Sequence, residues 1–133
     1  MNADEFLAHV RERADLESTD EARAATEATL RAFGSRLTEP EAEDLAAQLP
    51  EEFGADLTWE SGTEPESFDA DAFVARVRER EADDSRIDDD DVEAHARAVA
   101  SVLTDAVSSG ELSDIRAQLP GGYERLFNPT EAA

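Results

Sequence analysis

The tetrapeptide Ala47-Gln48-Leu49-Pro50 returns as Ala117-Gln118-Leu119-Pro120, 70 positions later. It closes a longer repetition. Ala3 to Arg13 and Ala70 to Arg80 are identical at eight of eleven positions, at an offset of 67. Glu41 to Pro50 matches Glu111 to Pro120 at six of ten, at an offset of 70. The offset changes because the second copy carries three extra residues between Glu81 and Asp91. Each copy has about 60 residues, a size that buries too little surface to be more than marginally stable alone. The copies are therefore expected to share one core. The boundaries read as repeat 1 over 1–57, a linker over 58–67, repeat 2 over 68–127 and a tail over 128–133, with 1–127 folding as a single cooperative domain.

Apolar residues recur at helical spacing in both copies, and no stretch alternates with period two for long enough to make a strand. The first helix is expected from Ala3 to Ala14, with Asn2 as N-cap, Asp4 and Glu5 in the first turn, Phe6, Leu7 and Val10 as its stripe, and Met1 stapled on Phe6. The second runs from Thr19 to Gly34. Ser18 and Glu21 form a capping box at its start, and Gly34 is its terminator. The third opens at Thr38, where Glu41 completes another box and Pro40 sits in the first turn. Pro50 stops it and starts a short turn through Phe53 that Gly54 closes.

Gly, Pro, Ser and Thr cluster from Ala55 to Ser67, where the chain crosses to the second copy, and Trp59 is expected to cover the seam. The second copy repeats the scheme. A helix capped by Asp69 follows Phe68, a long helix runs from about Asp89 to Ser108, and a third opens with Ser108 and Glu111 and stops at Pro120. Tyr123, Leu126 and Phe127 end the fold. The expected fold is all-α: two pseudo-symmetric three-to-four-helix repeats packed as one compact helical domain.

The charge says where such a chain works. Its 34 acidic and 12 basic residues give a net charge of −22, and every basic residue is arginine. High net charge with few aromatics is one signature of disorder, which the periodic apolar positions oppose. Adaptation to a salty cytoplasm fits both. At molar salt the Debye length is roughly 3 Å, so a dense carboxylate surface repels itself little. The same charge opposes nucleic-acid binding, which needs a basic footprint. There is no cysteine, hence no disulfide and no thiolate chemistry. No apolar run approaches the ~20 residues of a membrane-spanning helix. The acidic start Met1-Asn2-Ala3-Asp4-Glu5 lacks the regions of a signal peptide, so a cytoplasmic location is expected.

Phe73, Val77 to Arg80, Asp114 to Pro120, Tyr123, Leu126 and Phe127 together resemble the bacterial and archaeal "domain of unknown function 2267" family. In the first copy the matching residues are Phe6, Val10 to Arg13 and Asp44 to Pro50. The acidic composition makes the chain resemble a haloarchaeal-type member. The resemblance implies a helical, duplicated fold and brings no catalytic residue with it. The first copy departs from the pattern after Pro50, where Glu51-Glu52-Phe53-Gly54 replaces the Tyr-x-x-Leu-Phe ending.

Few residues suggest chemistry. The run Asp88 to Asp91, with Asp83 and Asp84, has carboxylates enough for calcium but lacks the alternating ligands, central glycine and closing glutamate of an EF-hand loop. One of these aspartates reads better as the cap of the long helix. His9 stands where the second copy has Arg76, and His95 lies beside an apolar stripe where the first copy has Ala25. Neither has zinc-ligand spacing. The repeated Arg11-Glu12-Arg13 and Arg78-Glu79-Arg80 are expected to tie helices together through Asp44 and Asp114, because a planar guanidinium takes a carboxylate in two bonds. Gln48 and Gln118 are placed to bond a chain end near the helix-stopping prolines.

With no nucleophile elbow, P-loop or dinucleotide loop, the expectation is a non-enzymatic protein-interaction or scaffold domain without catalytic, cofactor or metal residues. It would engage a protein partner or a second copy, and neither nucleic acid nor membrane. One alternative is a small-ligand or anion-binding regulatory module at the seam, with Arg11, Arg13, Arg78 and Arg80 as candidates. Another is an acidic mimic that binds a basic partner.

Overall fold

A computed structural model describes residues 2–35, 37–59, 69–87 and 91–108, together with Gly110 and Ser113. Among these residues there are six α-helices and no strand. They are α1 (Ala3–Ala14), α2 (Thr19–Gly34), α3 (Glu39–Ala46), α4 (Glu51–Trp59), α5 (Ala70–Ala82) and α6 (Val92–Ala106). The expectations for Met1, Phe68, Asp88 to Asp90, Glu111 and everything from Asp114 onward fall outside the described residues, as does the side chain of Trp59.

Local chemistry sets the helix starts. The Asn2 side chain accepts the Glu5 N–H at 2.8 Å while Glu5 accepts the Asn2 N–H at 3.1 Å, a complete capping box. Thr38 and Glu41 form the same box at α3. At α2 it is modified: Ser18 accepts the Glu21 N–H, but the Glu21 carboxylate turns to the N–H of Glu17 at 3.2 Å. Asp69 and Asp91 cap α5 and α6 by accepting the N–H groups of Ala72 and Ala94. The long helix is thus shorter than expected at both ends, and its cap is the last aspartate of the acidic run. Helix α1 ends at Asp15, whose left-handed φ of 55° folds the chain back so that the Leu16 N–H reaches the Arg11 carbonyl at 2.9 Å.

Helix α2 is the axis of the molecule. It packs against α1, α4, α5 and α6. Ala22, Ala24, Ala25, Ala28, Leu30, Ala32 and Phe33 are all buried on it, along with Thr26 and Thr29. A helix enclosed this way must be lined with small side chains if its neighbours are to approach closely. Phe6 of α1 meets Phe53 of α4 with ring centroids 5.0 Å apart, and Phe33 of α2 meets Phe73 of α5 edge-on at 6.1 Å. These two contacts place α1 with α4, and α2 with α5.

Helix α2 spans Thr19–Gly34 as expected, but two glycines act differently from what their sequence positions suggest. Gly34 does not end α2 by turning left-handed; the cap is Ser35, in the right-handed region, whose hydroxyl donates to the Ala32 carbonyl at 2.7 Å. A Cβ at Gly34 would lie 2.0 Å from the Leu57 carbonyl oxygen, so the glycine is there to let α4 lie on α2. Gly54 closes nothing either. It sits inside α4, where an added Cβ would come within 3.1 Å of the Ala46 side chain. Helix α4 continues past Phe53 to Trp59 because Phe53 and Leu57, one turn apart, are both fully buried. The chain from Ala55 to Trp59 is therefore helix rather than linker.

Candidate functional site

The polar features gather at two places on α5 and its C-terminal turn. The first is a cleft of about 260 Å³ lined by Glu27, Ala28 and Arg31 of α2, by Arg80 of α5, and by Asp83, Asp84 and Arg86 of the following turn. Glu27 and Arg31, four residues apart, share one face of α2. Arg86 sits across from them. Its guanidinium donates to Glu27 at 2.7 Å and to Asp84 at 2.6 and 2.9 Å, while its backbone N–H donates to Asp84 at 3.0 Å. The side-chain hydrogen bond from Arg86 holds the Asp84 carboxyl below the usual range. In return, hydrogen bonds to Asp84 and Glu27 raise the Arg86 guanidinium above its ordinary value. Arg31 turns toward α4, where its Nε donates to the buried Asp56 at 3.0 Å. Burial pushes the Asp56 carboxyl up, and the Arg31 hydrogen bond offsets part of that rise.

The second feature lies inside the protein. His95 of α6 is fully buried, and Glu81 at the end of α5 is 5% exposed. The imidazole Nδ1 stands 2.8 and 3.0 Å from the two carboxylate oxygens of Glu81. The sequence reading passed over this pair, though a signal for it exists. By the offsets of the repeat, Glu81 corresponds to Ala14 and His95 to Ala25. Both alanines are buried. Two buried alanines in one copy are a buried acid and a buried base in the other, and it is their opposite chemistry at buried helical positions that could have drawn notice.

The four arginines singled out by repetition are dispersed. Arg13 donates to Ser101 at 2.7 Å and to Asp105 at 2.6 Å, tying α1 to α6. Arg11 braces the turn that follows its own helix, donating to the carbonyls of Leu16 and Glu17. Arg78 is exposed, and Arg80 lines the cleft while donating to the Arg76 carbonyl at 3.3 Å. The partner expected for the first pair, Asp44, is replaced by Asp105, a residue remote in sequence that the fold brings to the Arg13 side of α1. Asp114 lies outside the described residues. Gln48 does bond a chain end: its side-chain oxygen accepts the Ser108 N–H at 2.8 Å, joining the end of α3 to the end of α6. His9 is half-buried. Among the described residues no group of three or more metal-ligating side chains converges.

The family model described as an uncharacterized conserved protein, DUF2267, matches residues 3–126. The chain belongs to the DUF2267 family. No match is found among curated proteins. The match to DUF2267 spans the six helices found among the described residues and supplies no activity, so the function rests on the geometry above. Among the described residues of this DUF2267 chain, no helix is long and apolar enough to cross a membrane.

Proposed function

We propose that this DUF2267 chain is a non-enzymatic interaction or scaffold domain of a salt-adapted cytoplasm, made of two equivalent halves and engaging a protein partner or a second copy of itself. The observation that carries the non-enzymatic reading is the seclusion of Glu81 and His95. They form the one imidazole–carboxylate pair among the described residues, and it is buried where a substrate has no access. The equivalence of the halves is supported by helix starts at Ala3 and Ala70 that keep the offset of the sequence repeat. Arg13 to Asp105, Gln48 to Ser108 and Arg86 to Glu27 then join one half to the other. Light scattering after gel filtration, with capture from lysate in molar KCl, tests the proposal. A homo-oligomer or one specific partner is expected; a strictly monomeric chain that captures nothing refutes it.

Salt adaptation is supported by the distribution of the acid. Exposed carboxylates occur on every described helix, including Asp4 and Glu12 on α1, Asp20 on α2, Glu43 and Asp44 on α3, Glu51 on α4, Asp71 and Glu79 on α5 and Asp105 on α6. A mimic of nucleic acid calls for one acidic face, so this spread favours solvation over mimicry. Helicity followed by circular dichroism is expected to rise with KCl, and full helicity without salt contradicts the reading.

A second reading, ligand binding at the seam, is favoured by one observation: Arg31, Arg80 and Arg86, from a chain with 12 cations, line one cleft. It ranks second because an anion there competes with Glu27 and Asp84 for Arg86. Titrating phosphate at constant ionic strength separates the two. A saturable rise in melting temperature supports the site, and no rise beyond a chloride control removes it.

A further inference from the structure

Helices α1 and α5 turn the same residues toward solvent. Between Ala3 and Arg13, and between Ala70 and Arg80, every position exposed in both copies is identical: Asp4 and Asp71, Ala8 and Ala75, Arg11 and Arg78, Glu12 and Glu79. The three differences, at Glu5, Leu7 and His9, fall where at least one copy is wholly or partly covered. Substitutions at exposed positions change stability little. The helix dipole favours an acid near the start and a base near the end, but it fixes no identity at four separate positions. The two arginines of this face also stand apart. Arg13, Arg23, Arg31 and Arg86 each hold a carboxylate. Arg11 bonds only backbone carbonyls, and Arg78 makes no hydrogen bond or ion pair among the described residues. The helical neighbours of Arg78, three and four positions away, are Val74, Ala75, Ala82 and a Glu81 that is buried against His95. Its own helix therefore offers it no open carboxylate.

Asp, Ala and Arg recur at i, i+4 and i+7. They lie in one line along each helix, with acid and base about 10.5 Å apart. On α1 the line borders a groove of about 530 Å³ lined by Asp4, Ala8, Arg11, Asp15, Leu16 and Thr19. Such a line is complementary to itself. A second one turned end for end sets arginine opposite aspartate at both ends and alanine opposite alanine near the centre. Contacts in which i meets j while j meets i are what a two-fold interface requires. Laid parallel, the same lines set acid on acid and base on base, which repel. The small central residue lets the two axes approach to the near end of the roughly 8–10 Å range of packed helices.

We propose that the Asp-Ala-Arg lines of α1 and α5 are docking faces for a second copy of this chain, paired antiparallel so that Arg11 and Arg78 take the carboxylates of Asp4 and Asp71 of the other copy. The inference rests on the interaction reading above and names its partner. Each copy carries two such faces, so association continues past the dimer. Molar salt screens charges across solvent, but a pair closed between packed helices is screened much less. The test is sedimentation velocity of the full chain in molar KCl over a range of concentrations, with circular dichroism to follow helicity. Wild type is expected to exceed the mass of a dimer as concentration rises. Asp4→Arg/Asp71→Arg makes both lines basic, and Arg11→Asp/Arg78→Asp makes both acidic. Each should run alone as a single chain of 14.5 kDa, and an equimolar mixture of the two should associate again. Ala8→Gln/Ala75→Gln keeps every charge and a good helix former at an exposed position, and should lose association because the axes are held apart. Arg78→Asp alone should stop at the dimer. Charge variants that associate like wild type, or a mixture that stays single, overturn the proposal. If Arg11→Asp disturbs the turn that Arg11 braces, the alanine variant and Arg78→Asp decide, and wild-type association in both overturns it. A wild-type chain that stays single yet captures one specific protein overturns this inference and leaves the interaction reading standing; one that stays single and captures nothing overturns both.

Discussion

Truncating either member of the Glu81–His95 pair is the most informative single perturbation of this fold. Glu81→Ala takes both carboxylate oxygens from an imidazole that is fully buried, and His95→Ala leaves a carboxylate that is 5% exposed facing the core. Removing one partner of such a pair costs about 3–5 kcal/mol. That is a large share of the ~5–15 kcal/mol by which a domain is stable. At this length each kcal/mol lowers the melting temperature by roughly 4 °C, so each single variant should melt roughly 12–20 °C below wild type. The double variant Glu81→Ala/His95→Ala buries no stranded charge. Its loss should fall short of the sum of the singles by roughly 2 kcal/mol or more, as for residues in direct contact. Urea unfolding in molar KCl, followed by circular dichroism, gives all four corners of the cycle. Additivity within about 0.5 kcal/mol would mean that the two side chains are energetically independent, and the account of the pair would be wrong.

Three further outcomes follow from individual contacts. Gly34→Ala should lose about 3 kcal/mol in the same urea assay, because its Cβ would fall 2.0 Å from backbone of α4 that has no room to retreat; a loss below that of an ordinary surface change would refute the close approach. Thr29 buries a hydroxyl that has no hydrogen-bond partner among the described residues, so Thr29→Val should be neutral or stabilising by up to about 1 kcal/mol, and a clear loss would reveal a bond. Asp84 and Asp56 should shape the acid limb of stability in opposite senses. The Asp84 carboxyl is held low, so its contribution is present above the ordinary value of 3.8 and is lost as pH falls through the folded value. The Asp56 carboxyl is pushed up, so the fold retains that proton longer than the unfolded chain does, and its contribution is lost as pH rises through the folded value. Stability should therefore rise less steeply with pH in Asp84→Asn and more steeply in Asp56→Asn, and a change of the same sign in both would contradict the assignments.

Helix existence was legible because it is decided locally. Asn2 with Glu5, Ser18 with Glu21 and Thr38 with Glu41 announce their helices in three or four residues, and all three helices begin there. Local rules failed where the deciding neighbour is remote in sequence. Gly34 and Gly54 look like terminators, and only the positions of Leu57 and Ala46 reveal them as places of close approach. The extra turns of α4 depend on a core that receives Leu57. The arginines were sought by repetition, but an arginine pairs with whatever carboxylate the fold supplies. Arg13 found Asp105, and Arg86, which repetition does not mark, became the centre of the cleft. The buried pair was hard to read, because most residues of α2 also differ from their counterparts in α6, and the contact between Glu81 and His95 depends on how α5 and α6 pack.

The central claim is that both halves form one cooperative domain around α2, and hydrogen exchange of the full chain across a urea series in molar KCl tests it most directly. Peptides from α1 to α4 and peptides from α5 and α6 should lose protection at one common midpoint, because α2 is packed against helices of both halves. Two separated midpoints, one for each half, would contradict the account.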